Sequence, residues 1–257
     1  MKDPLTIVRN NHILFATYNQ LKTNDIVYGR IRLGPGEEHL LTDLVERGIR
    51  LIPSATSQLA SRSKTFQARI FNDFMLPGTL AVYDINALLL ATSLYQRLHY
   101  SKVVLKRDRK NGGLGVHLFN SIEDLYNQVS GGGTSFFPFI VQPFQEKFRD
   151  IRVIVLDDYI ESYERINPDN FRQNLHCGGE ATPYLLNDRQ QAFCREVMRR
   201  GAFSYAHLDL MLIDDGECRL TEINLRGGLH GARISGEEYR RKIEAIHERQ
   251  LVELQMA

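Results

Sequence analysis

No apolar run in this 257-residue chain approaches the length of a membrane span, and the opening MKDPLTIVRNN has no apolar core of a secretory signal. Both absences point to a soluble, cytoplasmic protein with no membrane role. Charge of one sign is also lacking: 32 Lys and Arg against 31 Asp and Glu leave a net charge of +1. That balance gives no support to nucleic-acid or membrane-surface binding driven by bulk charge. Cysteine is scarce. Cys177, Cys194 and Cys218 are odd in number, scattered and without a CxxC pair, which argues against a disulfide frame or a zinc site and fits reduced thiols. There is no internal repeat, and no GK[ST] opens a helix, so no Walker A loop is present. What remains is a globular composition, 43% hydrophobic and 25% charged, with ample material for a core. The length suits one large α/β unit or two or three small lobes.

The chain opens with strand-like HILFATYN (12–19) and DIVYGRIRL (25–33), then a helical pattern over 36–48 and a further strand at IRLIPS. Strand, helix and strand in this order suggest a small parallel unit. One helix carrying Lys64 is expected from Ser57 to Phe74, stopped by Pro77-Gly78. A strand at Val82 follows, then a helix over 84–98 with Asp84 as its N-cap. VVLK and GVHLF read as strands, and a helix capped by Ser121 runs to about Val129. SGGGTS (130–135) is the expected lobe boundary. Strands at FIVQPF, DIRVIVLDD and YIESYERI precede a polar loop to about Pro183, a helix over 188–201, a hairpin, and a charged helix over 236–254. Ile243, Ile246, Leu251 and Leu254 give that last helix an apolar stripe, expected to pack on its own lobe, with a homo-oligomer contact as the alternative.

The hairpin HLDLMLIDDGECRLTEINLRGG carries the chemistry. Glu222 and Asn224 lie two apart and so share a face of their strand. A turn at Asp214-Asp215-Gly216 can bring Asp209 to the same face. Two carboxylates and an amide oxygen make a hard, all-oxygen donor set suited to Mg²⁺ or Mn²⁺, although the polar face of an ordinary hairpin would look the same. Upstream, Lys106 ends an apolar strand, and Gly112, Gly113, Leu114 and Gly115 turn the chain. Such a turn can close backbone N–H groups over phosphate while the lysine supplies charge, but most glycine turns do no more than reverse the chain. Gln142, Pro143 and Phe144 end another apolar strand, where extended backbone can offer a carbonyl and an N–H to a flat heterocycle. Asp150, Arg152, Arg165, Arg172 and Asn174 follow, a basic cluster that suits a polyanionic ligand, though strand-end arginines are individually commonplace.

From Ser57 to Ser235 these elements resemble, in order, the ATP-grasp carboxylate–amine ligases, most closely the RimK-like and glutathione-synthetase-type peptide ligases. The resemblance implies an ATP-grasp α/β fold with α+β lobes: a shortened N-terminal parallel βαβ unit (1–56), a small lobe (57–130) and a large lobe bearing the metal and substrate site (131–257). It implies that Lys64 and Lys106 contact phosphate, that Gly112–Gly115 cover the triphosphate, and that Gln142-Pro143-Phe144 form the adenine hinge with Phe144 N–H as a donor. Asp150 falls where a ribose-binding acid lies, and Arg165 and Asn174 fall where the reacting phosphate is lined. Asp209, Glu222 and Asn224 match the magnesium ligands, spaced thirteen and then two residues apart. Pro143 replaces a common acidic residue, and LRGGLHGARIS, with Arg226 and His230, replaces the usual Ser-Pro-Gly type loop.

The activity so implied is ATP-dependent amide formation through an acyl phosphate, joining a carboxylate to the amine of an amino acid, peptide or protein terminus. Arg226 is expected to bind the acceptor carboxylate. His230 is either a base for the amine or a hydrogen-bonding spacer. The alternatives are a kinase on the same scaffold and a non-catalytic ATP-binding subunit.

Overall fold

The structure is a computed structural model, and it describes all residues except 1–4, 111, 133–135, 172–174, 176–177, 214–215 and 257. The described residues form three sheets.

The first is parallel, ordered β1 (Ile7–Val8), β2 (Ile26–Tyr28), β3 (Arg50–Ile52). Helix α1 (Asn11–Thr17) and helix α2 (His39–Glu46) connect its strands. Leu14, Leu41, Leu44 and Ile49 fill the core between them. The parallel unit is as expected, but 12–19 is not a strand. Asn10 caps a helix there, its side chain accepting from His12 N–H at 2.7 Å, and Leu14 alone in that helix is buried. The expected strand 25–33 ends at Tyr28, because Gly29 turns out of the sheet at φ 102°.

The expected single helix over 57–74 is two, α3 (Ala55–Ala60) and α4 (Lys64–Ile70). Ser63 breaks it by capping α4, its hydroxyl accepting from Phe66 N–H at 3.1 Å, while Asp108 accepts from Thr65 N–H at 3.0 Å. Both donors would otherwise be orphaned at the start of a helix.

The second sheet is antiparallel, in the order β4 (Leu80–Val82), β7 (Phe139–Pro143), β5 (Val103–Arg107), β6 (Val116–Phe119). Helices α5 (Ile85–Arg97) and α6 (Ile122–Gly131) cover it, capped as expected by Asp84 and Ser121. Leu88, Tyr95, Leu105, Leu125 and Phe139 form its core.

The third sheet, also antiparallel, runs β10 (Glu180–Pro183), β9 (Tyr159–Ile166), β8 (Arg149–Leu156), β11 (Tyr205–Leu212), β12 (Cys218–Asn224). Helix α7 (Asp188–Arg200) and helix α8 (Gly236–Met256) complete this part. β10 was expected as loop. Its residues are largely exposed and carry no apolar alternation, so only pairing with β9 reveals it.

β7 follows the glycine stretch and pairs with β4 and β5, so the step from the four-stranded to the five-stranded sheet falls after Pro143. Ala60, Ala68 and Phe71 are buried in the core of the five-stranded sheet. Helix α8 packs within its own chain: Ile243 and Ile246 join that core, and Leu251 meets Ile26, Tyr28 and Ile52 of the parallel sheet. Among the described residues no helix is long and apolar enough to cross a membrane.

Candidate active site

β11 and β12 pair with Asp209 directly opposite Glu222 and His207 opposite Asn224. Cross-strand partners share a face, so the two carboxylates and the amide converge as expected. The turn residues Asp214 and Asp215 lie outside the described residues, but Ile213 and Glu217 close the hairpin with an N–H to carbonyl bond of 3.0 Å. These groups form one wall of a cavity of about 480 Å³. Lys106, Gly112, Gly113, Gln142 and Phe144 line it from the four-stranded sheet and its loops, Lys64 from the start of α4, and Arg165 and Arg226 from the five-stranded sheet and the loop after it.

Each acid in the cavity is held by a cation. Arg152 forks onto Asp209, Nε to Oδ1 and Nη2 to Oδ2 both at 2.7 Å. Burial alone would raise the Asp209 carboxyl, but Arg152 and Arg165 outweigh it and hold Asp209 well below the usual carboxylate range. Lys64 Nζ donates to Glu222 Oε1 and to the Lys110 carbonyl, both at 2.9 Å, and Asn224 Nδ2 donates to the same Glu222 oxygen at 3.0 Å. Glu222 is likewise lowered, burial being outweighed by Lys64. Lys106, on β5, has no side-chain partner among the described residues. Burial, and then the charge of Lys64 against the pull of Glu222, lowers its ammonium pKa.

The expected ribose acid, Asp150, has both oxygens on Arg165, at 2.8 and 2.9 Å. It fixes that guanidinium, which also reaches Asp209 Oδ2 at 3.2 Å. Asn174 lies outside the described residues, as does Arg172. Gly112 and Gly113 turn with φ of 66° and 78° and line the cavity. Leu114 is 85% exposed, and neither it nor Gly115 reaches the lining. Gly115 is instead packed from behind, where a Cβ would lie 2.6 Å from Lys110 Cβ.

The hinge needs a correction. Phe144 N–H donates to the Lys102 carbonyl at 3.0 Å, so it is spent on the sheet and does not serve a heterocycle. Across the trans peptide the Pro143 carbonyl points the opposite way, away from β5. In extended backbone the next N–H on that side belongs to Gln145, which lines the cavity although Pro143 itself does not.

Several lining residues escaped the sequence reading. Arg30 lies just beyond β2, in a stretch read as continuous strand, where the glycine before it was the available signal of a break. Met211 and Val104 add apolar walls that look like ordinary core in the sequence. Gln67, buried on α4, is hidden differently. Its amide takes Ile223 N–H at 3.0 Å and donates to the carbonyls of Ile223 and Ala60 at 2.9 and 2.7 Å. It therefore pairs with β12 as another strand would, between the two residues that face the cavity.

Asp209, Glu222 and Asn224 fit a divalent cation by donor chemistry. All offer oxygen, and Lys64 and Arg152 already place positive charge on the carboxylates. Among the described residues no three His, Cys, Asp or Glu side chains form a metal cluster. Two carboxylates, an amide and phosphate or water oxygens suit Mg²⁺, which seldom takes an all-protein cage.

Comparison with known proteins follows the same lines. Residues 90–246 match the RimK-like ATP-grasp domain. A glutathione synthetase of Agrobacterium fabrum is 26% identical over 165 residues, 59% of this chain and 47% of that protein. A ribosomal protein bS6–L-glutamate ligase of Escherichia fergusonii is 32% identical over 89 residues, 34% of this chain and 29% of that protein. The chain thus spans half or less of the length of these relatives. Among solved structures, D-cycloserine synthetase DcsG superposes with a TM-score of 0.61 at 14% identity, covering 95% of this chain and 99% of that one. D-alanyl-alanine synthetase A of Vibrio cholerae superposes at 0.60 and 15% identity, covering 87% and 77%. At such identities the superpositions speak for the fold.

Proposed function

Because the chain belongs to the RimK-like ATP-grasp domain family, we propose that it is an ATP-dependent carboxylate–amine ligase that releases ADP and phosphate. The observation that carries this reading is the facing pair Asp209 and Glu222 in one cavity with Lys64, Lys106 and the Gly112–Gly113 turn. A lone hairpin with that pair could be structural. Set opposite two lysines and a glycine turn, it is a site for a metal-bound polyphosphate.

Adenine is assigned to the part of the cavity lined by Val104, Phe144, Gln145 and Met211. Lys64 and Lys106 hold the phosphates. Asp209, Glu222 and Asn224 would hold Mg²⁺, which when bound neutralises charge on the phosphate oxygens. A substrate carboxylate oxygen attacks the γ-phosphorus, the bond to the bridging oxygen breaks, and ADP leaves. An amine nitrogen then attacks the acyl carbon and phosphate departs. Arg165, fixed by Asp150 and Asp209, presents a guanidinium whose position needs no reorganisation as charge develops, which is the favourable condition for electrostatic stabilisation. Asn174 is assigned to the same step.

The test is ADP release over a panel of carboxylates and amines, with free phosphate measured alongside. Glu222→Gln keeps shape and removes charge, and Lys106→Ala removes a phosphate contact. Each is expected to lower ADP release by about 100-fold or more with the fold retained. Wild-type rates in both variants would sink the assignment. Phosphate on the product instead of free in solution would make the protein a kinase.

A further inference from the structure

The residues after β12 cross the cavity-side face of the five-stranded sheet as a strap, from β12 at its edge to β9, three strands away. Gly227 lies over β11, where a Cβ would be 2.5 Å from His207 Nδ1. Gly231, at φ 87°, lies over β9 and β10, where a Cβ would be 2.6 Å from Ala181 Cβ and 3.1 Å from Tyr163 Cε2. Backbone thus rests directly on the sheet at both points. The strap supplies Arg226, Gly227, Gly228 and His230 to the cavity wall. At its near end Leu225 N–H donates to Ser61 Oγ at 3.0 Å, and Ala232 N–H closes a turn on the Leu229 carbonyl at 2.9 Å. The far end is held by one side chain, Glu161 of β9. Its Oε1 accepts from Arg233 N–H at 2.6 Å and its Oε2 from Ile234 N–H at 3.2 Å, while Tyr159 Oη donates to Oε2 at 2.6 Å.

Glu161 is 3% exposed and shares its face of β9 with Tyr163 and Arg165. Burying a carboxylate there costs several kcal/mol of hydration, and an apolar side chain would fill the same space without that cost. What the carboxylate adds is a pair of charged acceptors for two consecutive N–H groups. Burial alone would raise its carboxyl, but Tyr159 and those two N–H groups outweigh it and hold Glu161 below its ordinary value. The strap also lies at a defined end of the cavity. Along one face of β11, Met211, Asp209 and His207 follow in two-residue steps of about 7 Å. Met211 lines the part assigned to adenine, Asp209 faces Glu222, and His207 lies under Gly227. The strap therefore borders the space beyond the phosphates.

We propose that Glu161 is a positioning residue. By fixing Arg233 and Ile234 it sets how far the strap stands from the phosphates, and so which non-nucleotide substrate fits. It rests on the ligase reading above. Glu161 does not itself line the cavity, so it acts through the strap and touches neither nucleotide nor metal.

The test is Glu161→Gln in the full chain, with Glu161→Asp as the second variant. Glutamine keeps the shape but leaves one acceptor and turns a donor toward the other N–H, whereas aspartate keeps the charge and falls one methylene short. Hydrogen exchange is followed in residues 226–234. KM is measured for ATP and for the best-used carboxylate and amine of the panel, below the melting transition of each variant. Glu161→Gln is expected to speed exchange in the strap by about 10-fold or more while exchange in α7 stays as in wild type. It should raise KM for the non-nucleotide substrates by about 10-fold or more, with KM for ATP and the melting-temperature rise given by Mg·AMPPNP unchanged. Glu161→Asp should fall between. The assignment is overturned if strap exchange is unchanged, if KM for the non-nucleotide substrates is unchanged, or if KM for ATP rises alongside it, as general loosening would produce. A wild type that releases no ADP with any pair and is not stabilised by Mg·AMPPNP would instead overturn the ligase reading, while exchange would still report whether Glu161 holds the strap.

Discussion

Replacing Gln67 by Met tests whether a helix side chain serves as the missing neighbour of an edge strand. The amide makes three hydrogen bonds, at 2.7, 2.9 and 3.0 Å, and Gln67 is 2% exposed. Met has similar volume and no donor or acceptor, so the packing term is small while Ile223 N–H and the carbonyls of Ile223 and Ala60 lose their side-chain partner. Each lost bond costs about 1 kcal/mol net, and a buried group left unpaired costs about 1–3 kcal/mol. The Ile223 N–H is the one group with no alternative, since β12 is an edge strand. The sum is about 3–5 kcal/mol, which for a chain of this size lowers the melting temperature by roughly 6–20 °C. Urea unfolding and calorimetry both read this. Ile223 lies between Glu222 and Asn224, so the stabilisation conferred by Mg·ATP should shrink as well. A destabilisation below about 1 kcal/mol with unchanged nucleotide response would refute the view that Gln67 holds the strand in place.

A Cβ at Gly227 would lie 2.5 Å from His207 Nδ1, so Gly227→Ala should destabilise by about 1–3 kcal/mol, and His207→Ala in the same chain should recover part of that loss in a double-mutant cycle. Independent, additive effects would show that the two do not touch. Burial lowers the His247 pKa below its ordinary 6.5, so the unfolded chain binds the proton first. Stability is therefore full above about pH 6.5 and falls as the pH drops below it, and His247→Gln should flatten that fall in melting temperature. An unchanged slope would exclude His247 as its source. Leu251→Ala should cost about 2–5 kcal/mol and raise hydrogen exchange in β2 and β3, because Leu251 closes the cluster with Ile26, Tyr28 and Ile52. If exchange there stays slow, the parallel sheet is held by other contacts.

The hairpin was legible because period-2 spacing and a short turn together fix which side chains share a face, and the register places Asp209 opposite Glu222. The caps at Asp84 and Ser121 were legible for a similar reason: a short polar side chain before an apolar-periodic stretch has one favourable use. By contrast HILFATYN carries a local pattern compatible with strand or helix, and the Asn10 cap tips it to helix. The break between α3 and α4 depends on Asp108, forty-five residues beyond Ser63. Gln67 acquires its role only from a partner 156 residues away, at Ile223, so no window of local sequence contains the information. The Phe144 N–H was misassigned because a hinge read from sequence does not say which amides the neighbouring strand has already taken.

The reach of α8 back to the parallel sheet has a consequence for how the chain acquires its structure. Tyr28 Oη lies 2.7 and 2.9 Å from the carboxylates of Glu244 and Glu248, its one proton shared between them across separations of 216 and 220 residues, and Arg50 Nη1 donates to the Leu254 carbonyl at 2.7 Å. One face of β2 and β3 is thus closed by residues that leave the ribosome long after them. At about 5–20 residues per second, that face waits on the order of ten seconds or more for its cover. Contacts of such long range are slow to form and leave apolar strand surface open meanwhile. The N-terminal unit, although translated early, is among the parts whose packing is completed last.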